Sequence, residues 1–166
     1  EADARPVHIG DFTVQPQFPG GMVSYQQELA LGSQLVFGQQ YEIDSTGGDL
    51  STFHAALRMP QQLNLSSPNP AQTLHLGGAL DVQFSGGDSD DVWIYASTSD
   101  GHDFGYLACR AANDGSFTVP GNLVNQLPSG TATVSLSQTM FDYVEVDGRW
   151  IYLAGMTSLS ASGVAD

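Results

Sequence analysis

The chain has 166 residues, which is enough for one large β domain or for a sandwich of ordinary size preceded by a smaller β unit. Only 13% of the residues are charged, and the formal net charge is -14 at pH 7, with 18 acidic residues against four basic ones. Because the chain has no lysine and no basic patch, counterion release cannot favour binding to phosphate, and nucleic acid and anionic membrane surfaces are expected to be poor partners.

The N-terminal segment predicts short strands separated by turns. Residues 7–9 and 12–14 are β-rich runs around Gly10-Asp11, closed by Pro16, and they predict an edge strand that leads into a loop. The clearest alternation of the first half follows later in the chain. It places Phe53, Ala55, Leu57 and Met59 on one face and His54, Ala56 and Arg58 on the other, and Pro60 ends it.

Residues 66–70, Ser-Ser-Pro-Asn-Pro, are the most proline-rich stretch and mark the best candidate domain boundary. We therefore predict an N-terminal β unit over residues 1–62 and a second unit over residues 63–166. The alternative, that both belong to one domain, stays open.

The second unit predicts strands throughout. Core positions alternate through residues 80–84, 92–96 and 132–136, and a one-turn helical corner between them ends at Pro128. Asp147-Gly148 predicts a hairpin turn, and the small, polar tail from Ser158 to Asp166 is predicted to be loose at its end. With no amphipathic helix longer than a turn or two, the predicted class is all-β.

The segment Leu127-Pro-Ser-Gly-Thr-Ala-Thr-Val-Ser-Leu136 resembles the late strand of fibronectin type III and related immunoglobulin-like domains. The wider pattern includes Leu80-Asp-Val-Gln-Phe, Asp91-Val-Trp-Ile and Asp114-Gly-Ser-Phe-Thr-Val-Pro, and it is similar to a module of uncharacterised bacterial secreted proteins and surface lipoproteins. The resemblance implies an immunoglobulin-like antiparallel β-sandwich with extra N-terminal strands. It implies nothing about chemistry, because this fold carries many functions.

Carboxylates concentrate in the turns of the sequence. Asp88, Asp90 and Asp91 are candidate calcium ligands because hard cations prefer several oxygens from one flexible loop. The competing interpretation is that aspartate is simply a good turn residue. No EF-hand loop is present, and calcium is the only cofactor that the sequence suggests.

Catalytic signals are weak. The four histidines are far apart in sequence, no Gly-x-Ser-x-Gly elbow occurs, and the acidic residues do not define a glycosidase pair. The lone cysteine, Cys109, alternates with core positions and is expected to be a small buried hydrophobe. We therefore expect no enzymatic activity and no catalytic residues.

Two aromatic pairs are the candidate ligand-binding residues. Trp93 with Tyr95, and Trp150 with Tyr152, have the two-residue spacing that places both rings of a pair on one face of a strand. Exposed rings could stack on sugars or on a partner's apolar side chains, whereas buried rings would belong to the core.

These features favour a non-enzymatic structural or adhesive interaction module that is secreted or lies on a bacterial cell surface. Its expected partners are proteins or glycans at a cell surface, with no membrane insertion. One alternative is a carbohydrate-binding module that uses the surface aromatics. Another is an extracellular filament subunit, a homo-oligomer in which residues 1–14 add as a strand to a neighbour.

Overall fold

The computed structural model describes residues 5–17, 24–25, 36–48, 50–70 and 74–165. Within these ranges the protein is all-β with several antiparallel sheets, which confirms the predicted class. The chain forms two compact units, Glu1–Met59 with Met140–Gly155 and Pro60–Thr139 with Met156–Asp166. Residues 140–155 thus cluster with the first unit, and the division into residues 1–62 and 63–166 stays a prediction.

The first unit contains short strands from the N-terminal part of the described chain. They are β1 (Val7–Ile9), β2 (Phe12–Val14), β3 (Pro16–Gln17), β4 (Ser24–Tyr25), β5 (Gln40–Ser45) and β6 (His54–Arg58). Four of them form an antiparallel sheet of order β2-β1-β5-β6, and β3 pairs with β4. The predicted turn at Gly10 is present, with this glycine at a φ of 54°.

A small core forms on one face of the four-stranded sheet. Val7, Ile43 and Leu57 are buried there, and Phe53 and Leu153 pack against them. His54 and Arg58 are exposed, so the alternation predicted along residues 53–59 is confirmed.

The second unit contains the remaining elements, two of which have residues in both units. They are β7 (Leu63–Ser67), β8 (Leu74–Leu76), β9 (Leu80–Gly86), β10 (Asp91–Ser99), β11 (Phe104–Ala112), β12 (Ser116–Val119), α1 (Gly121–Val124), β13 (Gly130–Val146) and β14 (Arg149–Ala165). One sheet has the order β11-β10-β13-β14-β8, in which β8 runs parallel to β14, and the other has the order β12-β9-β7.

Both sheets of the second unit bury their inner residues in one continuous core. Every second residue of the main strands faces inward, as the period of a strand requires. The buried positions are the predicted ones, namely Leu80, Val82, Phe84, Val92, Ile94, Ala96, Ala132, Val134 and Leu136. This packing gives the second unit a sandwich-like character.

Three local predictions for the later strands are corrected by the structure. Ser137 is buried, although its alternation with Leu136 predicts that it faces solvent. Leu123 is partly exposed, although the spacing of the helical corner predicts that it shares one face with the buried Val124. The tail is not loose, because β14 continues to Ala165 between β13 and β8 and buries Ala161 and Ala165.

The turn between β13 and β14 is the predicted hairpin at Asp147-Gly148. Both residues have positive φ, 53° and 72°, as a two-residue turn of the I′ type requires. In the described part of the chain, no helix has the length and apolar character needed to cross a membrane.

Candidate functional site: an exposed aromatic face

The aromatic residues of β10 lie on the solvent side of their strand. Val92 and Ile94 point into the core, and the strict alternation therefore places Trp93 and Tyr95 on the opposite face. The Trp93 side chain is 40% exposed, and Tyr95 is half-buried. The two rings are thus surface groups, and the interpretation that they belong to the core does not hold.

Tyr106 of β11 extends this pair into a row of three rings. Trp93 and Tyr95 stack with ring centroids 6.2 Å apart and planes inclined by 10°, and Tyr95 and Tyr106 follow at 5.8 Å and 23°. Tyr106 reaches Tyr95 diagonally, since the residue directly opposite Tyr95 is the small Ala108. We call Trp93, Tyr95 and Tyr106 the aromatic strip.

The sequence did not identify Tyr106 as a candidate binding residue, although 54% of this residue is exposed. Its signal is the alternation of β11, which places Phe104, Tyr106, Ala108 and Arg110 on one face. This face lies near Trp93 only because β11 pairs with β10. The sequence alone does not show which strands pair.

Hydroxyl groups follow the aromatic strip on its other side. Ser135 of β13 is the direct partner of Tyr95, Thr133 is the partner of Ser97, and Thr131 is the partner of Ser99. Side chains of directly opposed residues share a face, so Ser135 lies beside the Tyr95 ring, while Thr133 and Thr131 lie on the same face beside Ser97 and Ser99. We call Thr131, Thr133 and Ser135 the hydroxyl row. The Oγ1 of Thr133 also lies 3.5 Å from the Oγ of Ser162, which belongs to β14 and not to the row.

One ion pair lies at the end of the aromatic strip. Arg110 is the cross-strand partner of Trp93, and its guanidinium group pairs with the carboxylate of Asp91. The charges of Arg110 and Asp91 compensate each other within this pair, although the whole chain carries -14.

The phenol of Tyr106 stays protonated well above neutral pH. Desolvation of the hydroxyl raises its pKa above 10.0, and the neighbouring Tyr95 raises it further. At neutral pH this hydroxyl is therefore an uncharged group that can donate and accept a hydrogen bond.

The second predicted pair lies in the first unit. Trp150 and Tyr152 are 70% and 53% exposed, and Tyr152 contacts two further rings, Phe141 at 5.0 Å and Tyr143 at 5.1 Å between centroids. The structure thus places Trp93 with Tyr95 in one unit and Trp150 with Tyr152 in the other.

The first unit also contains an open cavity of about 600 Å³. Its walls are mainly apolar and include Val7, Ile43, Leu57 and Trp150, while Arg149 supplies a cationic group. The cavity is large enough for a small molecule, but it presents few polar groups that could orient a ligand.

The acidic turn residues are directed to separate partners. Asp88 Oδ1 accepts the N–H of Gln61 at 2.9 Å, Asp91 pairs with Arg110, and Asp90 is exposed. Across the described ranges, no group of three or more His, Cys, Asp or Glu side chains is arranged to hold a metal ion. This geometry gives the calcium site at Asp88, Asp90 and Asp91 no support, and it stays a prediction.

The ring of His54 lies between two carboxylates of the neighbouring strand. Its Nδ1 lies 2.8 Å from Asp44 Oδ1 and its Nε2 lies 3.0 Å from Glu42 Oε2, all on the exposed side of β5 and β6. The hydrogen bond and charge of Asp44, followed by Glu42, raise the His54 pKa above 6.5. Both ring nitrogens thus face carboxylates, an arrangement that links two strands.

Cys109 packs partly buried against the core of the second unit, and burial raises the pKa of its thiol. Such a thiol is a poor nucleophile at neutral pH, because the reactive species is the thiolate.

Comparison with known proteins adds no relative to this description, because no family model, no curated protein and no solved structure matches the chain.

Proposed function

We propose that the protein is a non-enzymatic structural or adhesive interaction module, exported or held at a cell surface, which binds its partner through the aromatic strip. The observation that carries this proposal is the row of three neighbouring rings on an open sheet face. The acidic, lysine-free composition supports the extracellular location.

An immunoglobulin-like sandwich is part of the same proposal, and the strand order supports it. If β7, β9, β10, β11, β12, β13 and β14 correspond to strands A, B, C, C′, E, F and G, the two sheets have the orders A-B-E and C′-C-F-G, with β8 beyond G. Immunoglobulin-like domains divide these strands between their sheets in this way. The aromatic strip then lies on strands C and C′.

Exposed rings of this kind favour binding because a partner that covers them removes their apolar surface from water. Contiguous aromatic surface on a protein is a common mark of an interaction site, and Trp and Tyr are enriched among the residues that dominate binding energy. The ring stacking also restricts the side chains before a partner arrives, which reduces the entropy lost on binding.

The alternative of a filament subunit assembled by strand addition receives less support. The described part of the segment that would be donated, residues 7–14, already pairs within its own sheet as β1 and β2. Val7 and Val14 are buried there, so donation to a neighbour would first expose them.

The proposal is tested by binding to a panel of immobilised polysaccharides and cell-surface proteins. We expect Trp93→Ala and Tyr106→Ala each to reduce retention, because they remove different rings of the strip. Trp150→Ala is the matched control, since it removes an exposed tryptophan of the first unit. Retention lost in Trp150→Ala but kept in Trp93→Ala would assign the function to the other aromatic group.

A further inference from the structure

We propose that the aromatic strip and the hydroxyl row together bind an extended, uncharged polysaccharide chain. This inference rests on the proposed function and names the chemical class of the partner. It is drawn from the combination of exposed rings, adjacent hydroxyls and local neutrality on one sheet face.

The rings supply the apolar part of such a site. A sugar ring carries a face of C–H groups, and the electron-rich face of an aromatic ring attracts these polarised hydrogens. Trp93 and Tyr106 are 40% and 54% exposed at the two ends of the strip, so both can contact a ligand without rearrangement of the core. Three successive rings suit a polymer of repeated units better than a single small molecule.

The hydroxyl row supplies the polar part. A sugar has hydroxyls around its edge, and each needs a hydrogen-bond partner when water is displaced. Ser135 lies directly opposite Tyr95, and Thr133 and Thr131 continue the row along β13, opposite Ser97 and Ser99 of β10. Hydroxyl side chains can donate or accept, which suits a ligand whose hydroxyls also do both.

The charges around the aromatic strip favour a neutral ligand over a polyanion or a strongly cationic ligand. Arg110 is compensated by Asp91, and the Tyr106 phenol is uncharged at neutral pH. A sulfated or uronic acid polymer would find no uncompensated cation here and would be repelled by the net charge of -14. A basic protein would be attracted to the chain as a whole, but not to this neutral face in particular.

The shape of the face favours the interior of a chain over a chain end. β10 and β11 are each nine residues long, and β10 lies inside the sheet between β11 and β13. The site is thus a face formed by strands and not a closed pocket, and a polymer can lie along its row of rings.

Fluorescence of Trp93 gives a direct test. Trp93 and Trp150 are the two tryptophans of the chain, so Trp150→Phe leaves Trp93 as the only tryptophan reporter. This variant is titrated with dextran, a mixed-linkage β-glucan and a galactomannan as neutral polymers. Polygalacturonate and heparin serve as anionic polymers, and poly-L-lysine, which contains no tryptophan, serves as a basic polypeptide.

We expect a saturable change in Trp93 fluorescence with at least one neutral polymer and none with the anionic polymers. Since the contact involves no net charge, the affinity should be nearly constant when the salt concentration is raised from about 0.05 to about 0.5 M. Tyr106→Ala in the same background should weaken binding by about tenfold or more. Its thermal midpoint is measured in parallel so that a loss of binding is not confused with unfolding.

The outcomes separate this inference from the proposed function. Strip-dependent binding to poly-L-lysine or to an anionic polymer, without binding to any neutral polymer, would overturn the polysaccharide inference and leave the interaction module in place. Equal binding by Tyr106→Ala and its parent to every ligand, or no binding by either, would overturn both.

Discussion

The side-chain amide of Gln138, a buried residue of the second unit, donates a hydrogen bond to the carbonyl oxygen of Gln61. The Gln138 side chain is fully buried, and its Oε1 accepts the backbone N–H groups of Asp88 and Ser89 at 3.2 and 3.3 Å. One side chain of β13 therefore satisfies three backbone groups of two loops. Buried polar groups of this kind are costly when they lose their partners.

Replacement of Gln138 by leucine should destabilise the protein strongly. Leucine has similar bulk, but it leaves the N–H groups of Asp88 and Ser89 and the carbonyl of Gln61 without their partner. We expect the free energy of unfolding to fall by about 2–4 kcal/mol, measured by urea denaturation. Gln83→Leu is the matched control because Gln83 is exposed on β9. Equal midpoints for the two variants would contradict this role of Gln138.

Gly87 should tolerate no side chain because it lies against the same glutamine. A Cβ at this position would lie 2.6 Å from Gln138 Oε1 and 2.9 Å from Leu63 Cδ2, and the residue has a φ of +74°. We expect Gly87→Ala to lower the free energy of unfolding by about 2 kcal/mol or more, from the clash and the left-handed backbone. Gly77→Ala, which meets nothing within 4 Å, should change it little. Thermal unfolding of both variants checks this difference.

The core could be predicted from the sequence because alternation is a local property of a strand. Phe53 to Leu57 and Ala132 to Leu136 show the period of two without knowledge of their neighbours, and the structure buries the predicted faces. The turn at Asp147-Gly148 was equally local, because these two residue types tolerate positive φ.

The remaining features depend on which strands pair and in which register. The periodicity of a single strand carries no information about either. Tyr106 joins Trp93 and Tyr95 only because β11 pairs with β10 in a particular register. Gln138 appears polar in sequence, yet it is buried because the loops it serves come from distant parts of the chain. The tail from Ser158 has weak strand propensity and becomes ordered as β14 between β13 and β8.

His54 of β6 should bond both carboxylates of β5 together only when its imidazole is protonated. An imidazolium donates from both ring nitrogens and can serve Asp44 and Glu42 together, whereas the neutral ring donates from one. Because the folded pKa is raised above 6.5, the stabilisation is fully present below about pH 6.5 while both carboxylates remain ionised. It is lost as the pH rises through the folded pKa of His54.

NMR titration of the His54 ring protons tests this assignment. The midpoint should lie above 6.5, and Asp44→Asn should lower it more than Glu42→Gln, since Asp44 makes the larger contribution. A midpoint that neither substitution moves would show that the two carboxylates do not act on this ring.

Asp147 should anchor the hairpin turn to Ser51 in its ionised form. Its Oδ2 accepts the backbone N–H of Ser51 at 2.7 Å and its Oδ1 accepts the Ser51 hydroxyl at 2.9 Å. These hydrogen bonds, followed by the charge of Arg149, lower the Asp147 pKa below 3.8. The stabilisation is therefore present above the unfolded value and is lost as the pH falls through the folded one.

Substitution of Ser51 by alanine removes the hydroxyl donor but keeps the backbone N–H, so it should raise the Asp147 pKa only in part. Arg149→Gln should raise it less, because the charge of Arg149 makes the smaller contribution. Carboxyl-detected NMR titration of Asp147 measures both effects, with Ser85→Ala, an exposed serine of the second unit, as the control. If Ser51→Ala and Ser85→Ala give the same Asp147 pKa, the contact with the Ser51 hydroxyl does not hold the turn in solution.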